Sequence, residues 1–324
     1  MINITSSTGT ISLLSVFITI LPVFLILGAG YLVGKFRYLP DPVADGLNAY
    51  ALKIGAPVLL FMGMYKLDFS SAFNLEMLFS FYVGAFTCFY SGLFLSRMFW
   101  GRRPGASVAV GFCAVFSNTL LIGYPIAQLV FGEKILTPVF GIIALHASLL
   151  YAVGMTTMEF ARQDGRGVLD TLKTAFSSVI ANPLMIGILI GLICNFAGVT
   201  LLGPVEQALD MIRLTAIPVS LVGIGIALNR YSISSEFTET LMVCFLALCI
   251  HPAITYVLSH HVFGMDALFV QAAVVLAAMP PGMNVYIFAL LYNRALNLSA
   301  SVLIIGNVLA VFTIPLWLLL IKSL

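Results

Sequence analysis

Charged residues are scarce in this chain: Asp, Glu, Lys and Arg together make up 9% of its 324 residues, while apolar residues make up 61%. A soluble domain of this length needs a polar outer surface, which so few charged residues cannot supply. Lipid is therefore the expected solvent around most of the surface. The net charge of +2 includes no basic run, so the sequence also argues against a nucleic-acid partner.

The sequence also lacks the patterns that carry enzyme or metal chemistry. Its five cysteines are scattered without a Cys-x-x-Cys pair, and its four histidines show no zinc-ligand spacing. There is no Gly-rich phosphate loop with a lysine and no pair of acids suited to acid–base catalysis. These absences predict a protein that is not an enzyme and holds no metal or cofactor. They also exclude an ATP-driven pump for this chain alone, so a substrate gradient, the membrane potential or a co-ion must drive any transport.

Ten apolar stretches are long enough to cross a bilayer, which takes about 20 helical residues. They run approximately over 11–34, 43–65, 74–97, 105–131, 135–160, 174–197, 204–228, 237–261, 266–292 and 297–321. The longest polar segment is the central loop at 163–167. The pattern predicts an all-α membrane protein of ten transmembrane helices in a single integral membrane domain. No cleavable signal peptide is expected, because the first stretch is too long and has no basic leader.

Landmark residues of the first half recur at a constant offset in the second half. The matched pairs are Pro22 with Pro183, Gly30 with Gly191, Pro57 with Pro218, and Phe131-Gly132 with Tyr292-Asn293. A constant offset predicts two five-helix repeats, residues 1–162 and 163–324. Since five is an odd number, the second repeat must be inverted in the membrane, an arrangement typical of secondary transporters.

Lys and Arg are unequally distributed between the two sets of loops. Three of the fifteen lie on one side, Lys66, Lys134 and Lys322. Ten follow odd-numbered spans: Lys35, Arg37, Arg97, Arg102, Arg103, Arg162, Arg166, Lys173, Arg230 and Arg294. The positive-inside rule then places the odd loops in the cytoplasm and both termini outside. We expect a multi-pass protein of the inner (cytoplasmic) membrane.

The fourth and ninth spans carry helix-breaking residues at their midpoints. The residues concerned are Asn118, Thr119, Gly123 and Pro125 in the fourth span, and Pro280, Pro281, Gly282 and Asn284 in the ninth. Proline removes a backbone donor and clashes with the preceding turn, so both helices are predicted to be broken near the membrane midplane. Asn118 and Thr119 are predicted to cap one second half-helix, and Pro280 or Pro281 to occupy the first position of the other.

Inverted repeats would bring the two broken helices together so that they cross. The positive ends of two half-helices would then converge, which favours an anion such as a carboxylate. All eight residues named above are therefore predicted to form a substrate site. The alternative is a pair of proline kinks used only for packing.

Lys53 and His146 are further candidates, because polar groups inside a predicted span are costly and function is the default interpretation. Lys53 lies halfway through the second span and would neutralise a substrate carboxylate, hold the span against a partner, or extend its amine to the surface. His146 in the fifth span would accept a proton in a coupled cycle or serve as a packing residue.

The broken spans resemble those of the auxin efflux carrier family, which includes plant PIN-type carriers and bacterial malonate-type transporters. The matching residues of the fourth span are Asn118, Thr119, Leu120, Gly123, Pro125 and Gly132. Those of the ninth are Ala278, Pro280, Gly282, Phe288, Ala289, Tyr292 and Asn293. The similarity covers all ten spans, and the long cytoplasmic loop of the plant carriers is absent, as in the compact prokaryotic type.

The resemblance implies crossed, broken helices that move against a support in an elevator-like cycle, with an organic anion held at the crossover and a homodimeric assembly. By position, Asn118 matches the crossover asparagine of the family, while Asn48 and Lys53 match polar positions on the second span. His146 falls where PIN carriers have a glutamine. The acidic residue of the third PIN span has no counterpart near Ser80, which puts a proton site there in doubt.

The sequence thus predicts a secondary or facilitative carrier of small organic anions, such as malonate or auxin-like acids. One alternative is a sodium-coupled symporter of the bile-acid type, in which backbone carbonyls would bind the ion. Another, from a different class, is a channel or receptor module. The co-ion, a proton or sodium, stays open at this point.

Overall fold

The computed structural model describes residues 12–68, 72–162, 182–230 and 236–324. Within these ranges the chain is almost entirely helical and forms no β-strand. The helices are α1 (Leu13–Lys35), α2 (Pro42–Tyr65), α3 (Leu75–Trp100), α4 (Pro104–Val115), α5 (Thr119–Phe131), α6 (Leu136–Arg162), α7 (Pro183–Phe196), α8 (Gly203–Leu228), α9 (Phe237–Val262), α10 (Ala267–Ala277), α11 (Asn284–Tyr292) and α12 (Leu296–Lys322).

Seven helices of the described ranges are long and apolar enough to cross a membrane: α1, α2, α3, α6, α8, α9 and α12. Their ends agree with the predicted spans to within a few residues, since a continuous apolar run fixes the length of a helix that crosses lipid. The shorter apolar helices are α4, α5, α7 and α10. The central loop at 163–167 and the first part of the predicted sixth span lie outside the described residues.

Three of the prolines inside helices follow wide, π-helical turns, which the sequence does not predict. The π-helical segments Ala51–Gly55, Thr119–Gly123 and Leu246–Ile250 each end two residues before a proline. Proline lacks an N–H and crowds the carbonyl four residues earlier, and a turn of five residues relieves this conflict. For this reason α2 and α9 run on past their prolines.

The helices pack into two groups. The four-helix group contains α1, α2, α7 and α8, in which α1 packs along α8 and α7 packs along α2. The eight-helix group contains α3–α6 and α9–α12. Contacts between the groups run mainly from α1 to α5 and α12, from α8 to the first turn of α5, and from α2 to α6. The boundary between the groups therefore passes along α5.

An ion pair with one buried partner lies at one end of the eight-helix group. Arg102, in the link between α3 and α4, donates to both carboxylate oxygens of Glu239 on α9, with Nη2 2.6 Å from Oε2. Arg102 also pairs with Glu236, and the Glu239 side chain is 0% exposed. The hydrogen bond to Glu239 is the main reason that the pKa of Arg102 is raised.

Close backbone contact between α1 and α8 makes Gly225 intolerant of a side chain. A Cβ atom at this position would overlap the backbone of Leu27, Gly30 and Tyr31. Gly225→Ala is expected to lower the free energy of unfolding by about 1–3 kcal/mol, the usual cost of overpacking. The thermal unfolding midpoint in detergent measures this.

Gly28 on α1 provides the matched control, because a Cβ there would have nothing within 4 Å. Gly28→Ala should leave the midpoint unchanged or raise it slightly through helix propensity. Equal midpoints for the two variants would contradict the packing account of Gly225.

Candidate functional site

The two predicted interruptions are confirmed, and they touch each other. The helical run breaks between α4 and α5 and again between α10 and α11. The Asn118 N–H donates to the carbonyl of Pro280 at 2.8 Å, and the Gly282 N–H donates to the carbonyl of Phe116 at 3.0 Å. These bonds form an antiparallel bridge between Ser117 and Pro281. The interrupted segments satisfy part of each other's backbone, as an irregular segment buried in apolar surroundings must.

Asn118 caps α5 as the sequence predicted. Its Oδ1 accepts from the Leu121 N–H at 3.3 Å, and its backbone carbonyl accepts from the N–H of Gly123 at 3.0 Å. Thr119 follows as the first helical residue and is buried. Asn118 therefore defines the end of the link that leads into α5.

The prediction for the two prolines was wrong. Helix α11 begins at Asn284 with Met283 as its N-cap, so neither Pro280 nor Pro281 occupies the first helical position. The carbonyl of Pro280 and the N–H of Gly282 are both engaged by the α4–α5 link, which holds this stretch in an extended form. Bonding between the two interruptions thus outweighs the preference of proline for a helix start.

A cavity of about 280 Å³ lies beside the crossing, between the two helix groups. Of the predicted site residues, those that line it are Asn48, Asn118, Thr119, His146, Gly282 and Asn284. The rest of its wall is mainly apolar and includes Leu60, Phe116, Ile143, Ile188, Ile224 and Ile287. Such a wall with a few polar groups is typical of a site for a small organic molecule.

The other predicted residues lie behind the cavity wall or away from it. A Cβ on Gly123 would meet Leu276 and Met279, so this glycine allows α5 to approach the end of α10. Pro125 is buried behind the first turn of α5, and Pro280 and Pro281 form the crossing itself. These residues shape the site without facing the cavity.

Lys53 is not part of this cavity. Its side chain is exposed and lines a separate groove with residues of α2, α7 and α8, including Phe61 and Ile190. Asn48, five residues earlier on the same helix, does line the cavity and donates from Nδ2 to the carbonyl of Gly223 at 3.3 Å. Asn48 and Lys53 therefore face different spaces, and the amine of Lys53 is not part of the site.

His146 connects α6 to the crossing. Its Nε2 lies 3.1 Å from the carbonyl oxygen of Ser117, the residue that bridges to Pro281. The side chain is 2% exposed, and the rings of Phe81 and Phe116 contact it edge-on. Tyr151, five residues later on α6, donates to Oδ1 of Asn284 at 3.2 Å.

Sequence reasoning missed a charged pair at the exposed end of the cavity. Arg230 Nη1 lies 2.6 Å from Asp45 Oδ1, which joins the start of α2 to the chain just after α8. Both residues line the cavity. By sequence alone Arg230 is a loop charge that bears on orientation, and no spacing in the sequence links it to Asp45.

Two helix N-termini and several hydrogen-bonding side chains lie at the crossing. Helices α5 and α11 both begin at the crossing, and a helix N-terminus carries about half a positive charge. Asn118, Thr119 and Asn284 add hydrogen-bonding groups at the same place. Among the described residues, no three His, Cys, Asp or Glu side chains are grouped closely enough to hold a metal ion.

Comparison with known proteins gives consistent matches over nearly the whole chain. A family model described as "Membrane transport protein" matches residues 15–318. An "Uncharacterized transporter" of Methanothermobacter thermautotrophicus is 22% identical over 92% of this chain and 96% of its own length. A "Putative malonate transporter" of Rhizobium meliloti is 23% identical over 94% of this chain and 95% of its own. An "Uncharacterized transporter" of Escherichia coli K12 is 22% identical over 92% and 95%.

Proposed function

The chain belongs to the auxin efflux carrier family of membrane transport proteins, and from this premise we propose that it is a secondary transporter of small organic anions. The observation that carries the proposal is the contact between the two helix interruptions beside a cavity that separates two helix groups. The N-termini of α5 and α11 would hold a carboxylate there, and Asn118, Thr119 and Asn284 would hydrogen-bond it.

The proposed membrane topology counts each interrupted pair as one span, α4 with α5 and α10 with α11. With α7 included, this gives ten spans in two inverted repeats. The packing supports such a duplication, because α1 lies along α8 while α7 lies along α2. In a duplicated chain α7 corresponds to α1 and α8 corresponds to α2, so the two helix pairs are equivalent.

We propose that the eight-helix group moves against the four-helix group in an elevator-like cycle. Two clefts along their boundary support this. The cavity lies toward the ends of α2 and α8 marked by Asp45 and Arg230. A second cleft of about 240 Å³ lies toward the opposite ends of these helices, where its lining includes Lys66, Tyr124 and Arg213. Movement of the crossing between the two clefts would expose the site to each side in turn.

Orientation and assembly follow as parts of the same proposal. The excess of Lys and Arg after odd-numbered spans would place the Asp45 end of the cavity in the cytoplasm and both termini outside, in the inner membrane of the cell. A homodimer is the proposed assembly, on family resemblance alone.

The substrate class is tested by counterflow in proteoliposomes. The probes are radiolabelled acetate, benzoate, malonate and succinate, and malonate is included because one relative bears that name. We expect saturable uptake of at least one labelled acid. The same unlabelled acid inside the vesicles should accelerate this uptake, because a carrier with bound substrate reorients toward the outside faster than an empty carrier. A cationic amine of similar size should not compete.

Three results would contradict the proposal. Uptake that does not saturate would indicate a pore, and tight binding without translocation would indicate a receptor. Transport of the amine but of no acid would remove the anion assignment.

A further inference from the structure

The hydrogen bond of His146 fixes the state of its ring. A carbonyl oxygen can only accept, so the contact between Nε2 and the Ser117 carbonyl requires a hydrogen on Nε2. In the neutral ring Nδ1 then carries a lone pair. This atom is buried and has no hydrogen-bond partner among the described residues. A lone pair in that position can accept a proton.

His251 on α9 repeats this chemistry without facing the cavity. Its Nε2 lies 3.2 Å from the carbonyl oxygen of Phe81, its Nδ1 is also buried without a described partner, and its side chain is 0% exposed. The Phe81 ring contacts both imidazoles, with centroid distances of 5.6 Å to His146 and 4.8 Å to His251. Only His146 is among the described residues that line the cavity.

Among the described residues, none of the side chains that contact His146 is acidic. From α3 it faces Phe81, and the nearby Tyr82 donates its hydroxyl to the Ile142 carbonyl. Phe116 and Ser117 of the α4–α5 link also contact His146. The titratable group of α9 that lies near it is His251.

Nearby groups are already engaged. Tyr151, on α6 itself, is bonded to Asn284. The charged residues among those that line the cavity, Asp45 and Arg230, are paired with each other. The described residues therefore supply no counter-ion for a buried imidazolium at this position, and an anion that enters the cavity would supply one.

We propose that His146 binds the co-transported proton, and that the proton and the anionic substrate occupy the cavity together. The proposal rests on the proposed function. The proton adds to Nδ1 of His146 on the side where the anion enters, and it leaves from Nδ1 on the side where the anion is released. No covalent bond to the substrate forms. A monovalent anion and one proton then cross without net charge.

Binding of the proton and binding of the anion favour each other, because each ligand supplies a counter-charge for the other. An anion stabilises the imidazolium, and the imidazolium raises the affinity for the anion. The affinity should therefore rise as the pH falls, by about tenfold per pH unit while the free protein holds His146 neutral. Since the N–H of the same ring is bonded to Ser117, the bound charge lies against the crossing.

The first test uses the wild-type protein in detergent and the acid of the panel with the strongest counterflow. Isothermal titration calorimetry in two buffers of different ionisation enthalpy should show uptake of about one proton per anion bound. Titrations between about pH 7 and pH 8, where simple carboxylic acids are ionised, should show the tenfold change in Kd per unit. Binding without proton uptake would overturn the proposal.

The second test compares His146→Gln with His251→Gln in proteoliposomes. Glutamine keeps an N–H for the carbonyl and removes the titratable lone pair. In His146→Gln we expect reduced counterflow whose rate no longer changes with pH, and no accumulation driven by an imposed pH gradient. His251→Gln should retain the wild-type pH dependence and gradient-driven accumulation. Thermal midpoints of both variants establish folding.

The outcomes separate the two proposals. If no acid shows counterflow, the proposed function fails. If counterflow occurs but wild-type binding takes up no proton, or His146→Gln keeps gradient-driven accumulation, only the proton site fails. Loss of coupling in His251→Gln but not in His146→Gln would place the proton on His251, which would also overturn the proposal.

Discussion

Replacement of Asn118 by alanine is expected to abolish most anion transport while the protein stays folded. The Asn118 side chain lines the cavity and caps α5, so its removal deletes a hydrogen-bonding group at the proposed carboxylate position. A hydrogen bond to a charged group contributes about 1.5–3 kcal/mol, equal to roughly a tenfold to hundredfold loss of affinity. Counterflow in proteoliposomes measures the effect.

Loss of the cap alone is controlled by Asn74→Ala. Asn74 caps α3 through the Met77 N–H at 2.8 Å and does not line the cavity, so this variant removes a cap of the same kind. Both alanine variants should lose about 1 kcal/mol of stability, and only Asn118→Ala should lose transport.

A second variant at the same position tests the charge of the substrate. Asn118→Asp keeps an oxygen that can cap α5 but places a negative charge at the cavity. It should transport anions no better than the alanine variant. Normal flux in Asn118→Ala, or improved anion flux in Asn118→Asp, would remove Asn118 from the site.

Replacement of Arg102 by methionine is expected to destabilise the protein more than any other single change considered. It leaves the fully buried carboxylate of Glu239 without its bidentate partner. Breaking a buried pair in this way costs about 3–5 kcal/mol, because the remaining charge stays away from water. The thermal unfolding midpoint in detergent should fall clearly.

The neighbouring arginine is a matched control, because Arg103 is exposed. Arg103→Met should change the midpoint little. The double variant Arg102→Met with Glu239→Met should recover much of the loss, since a buried ion pair is often replaced by apolar groups at no net cost. A double variant as unstable as Arg102→Met alone would contradict the charge-burial explanation.

Much of the helical framework could be predicted from the sequence. A chain that crosses lipid must satisfy its backbone hydrogen bonds internally, so it forms helices whose length matches the hydrocarbon thickness. The ends of α1, α3 and α12 therefore follow from the apolar runs. The interruptions followed from Pro280, Pro281 and Asn118. The wide turns at Ala51–Gly55 and Leu246–Ile250 did not, because proline in a helix can end it, bend it or widen it, and only the neighbouring helices decide which.

The candidate site was predicted less completely, for an equally physical reason. Asn118 and Asn284 were identified because they lie at interruptions. Lys53 was included because a charge in an apolar span suggests function, yet its side chain faces another groove. The pair of Asp45 and Arg230 joins two helices far apart in sequence, and nothing local to either residue marks it.

The bonds that join the two interruptions are made by main-chain atoms, from Asn118 to Pro280 and from Gly282 to Phe116. Side-chain substitutions do not remove them, apart from changes to proline at a donor. Substitutions in the apolar wall around Ile188 and Ile224 therefore leave these bonds in place. Under the proposed cycle, a library restricted to these wall positions would alter substrate selectivity first and turnover second.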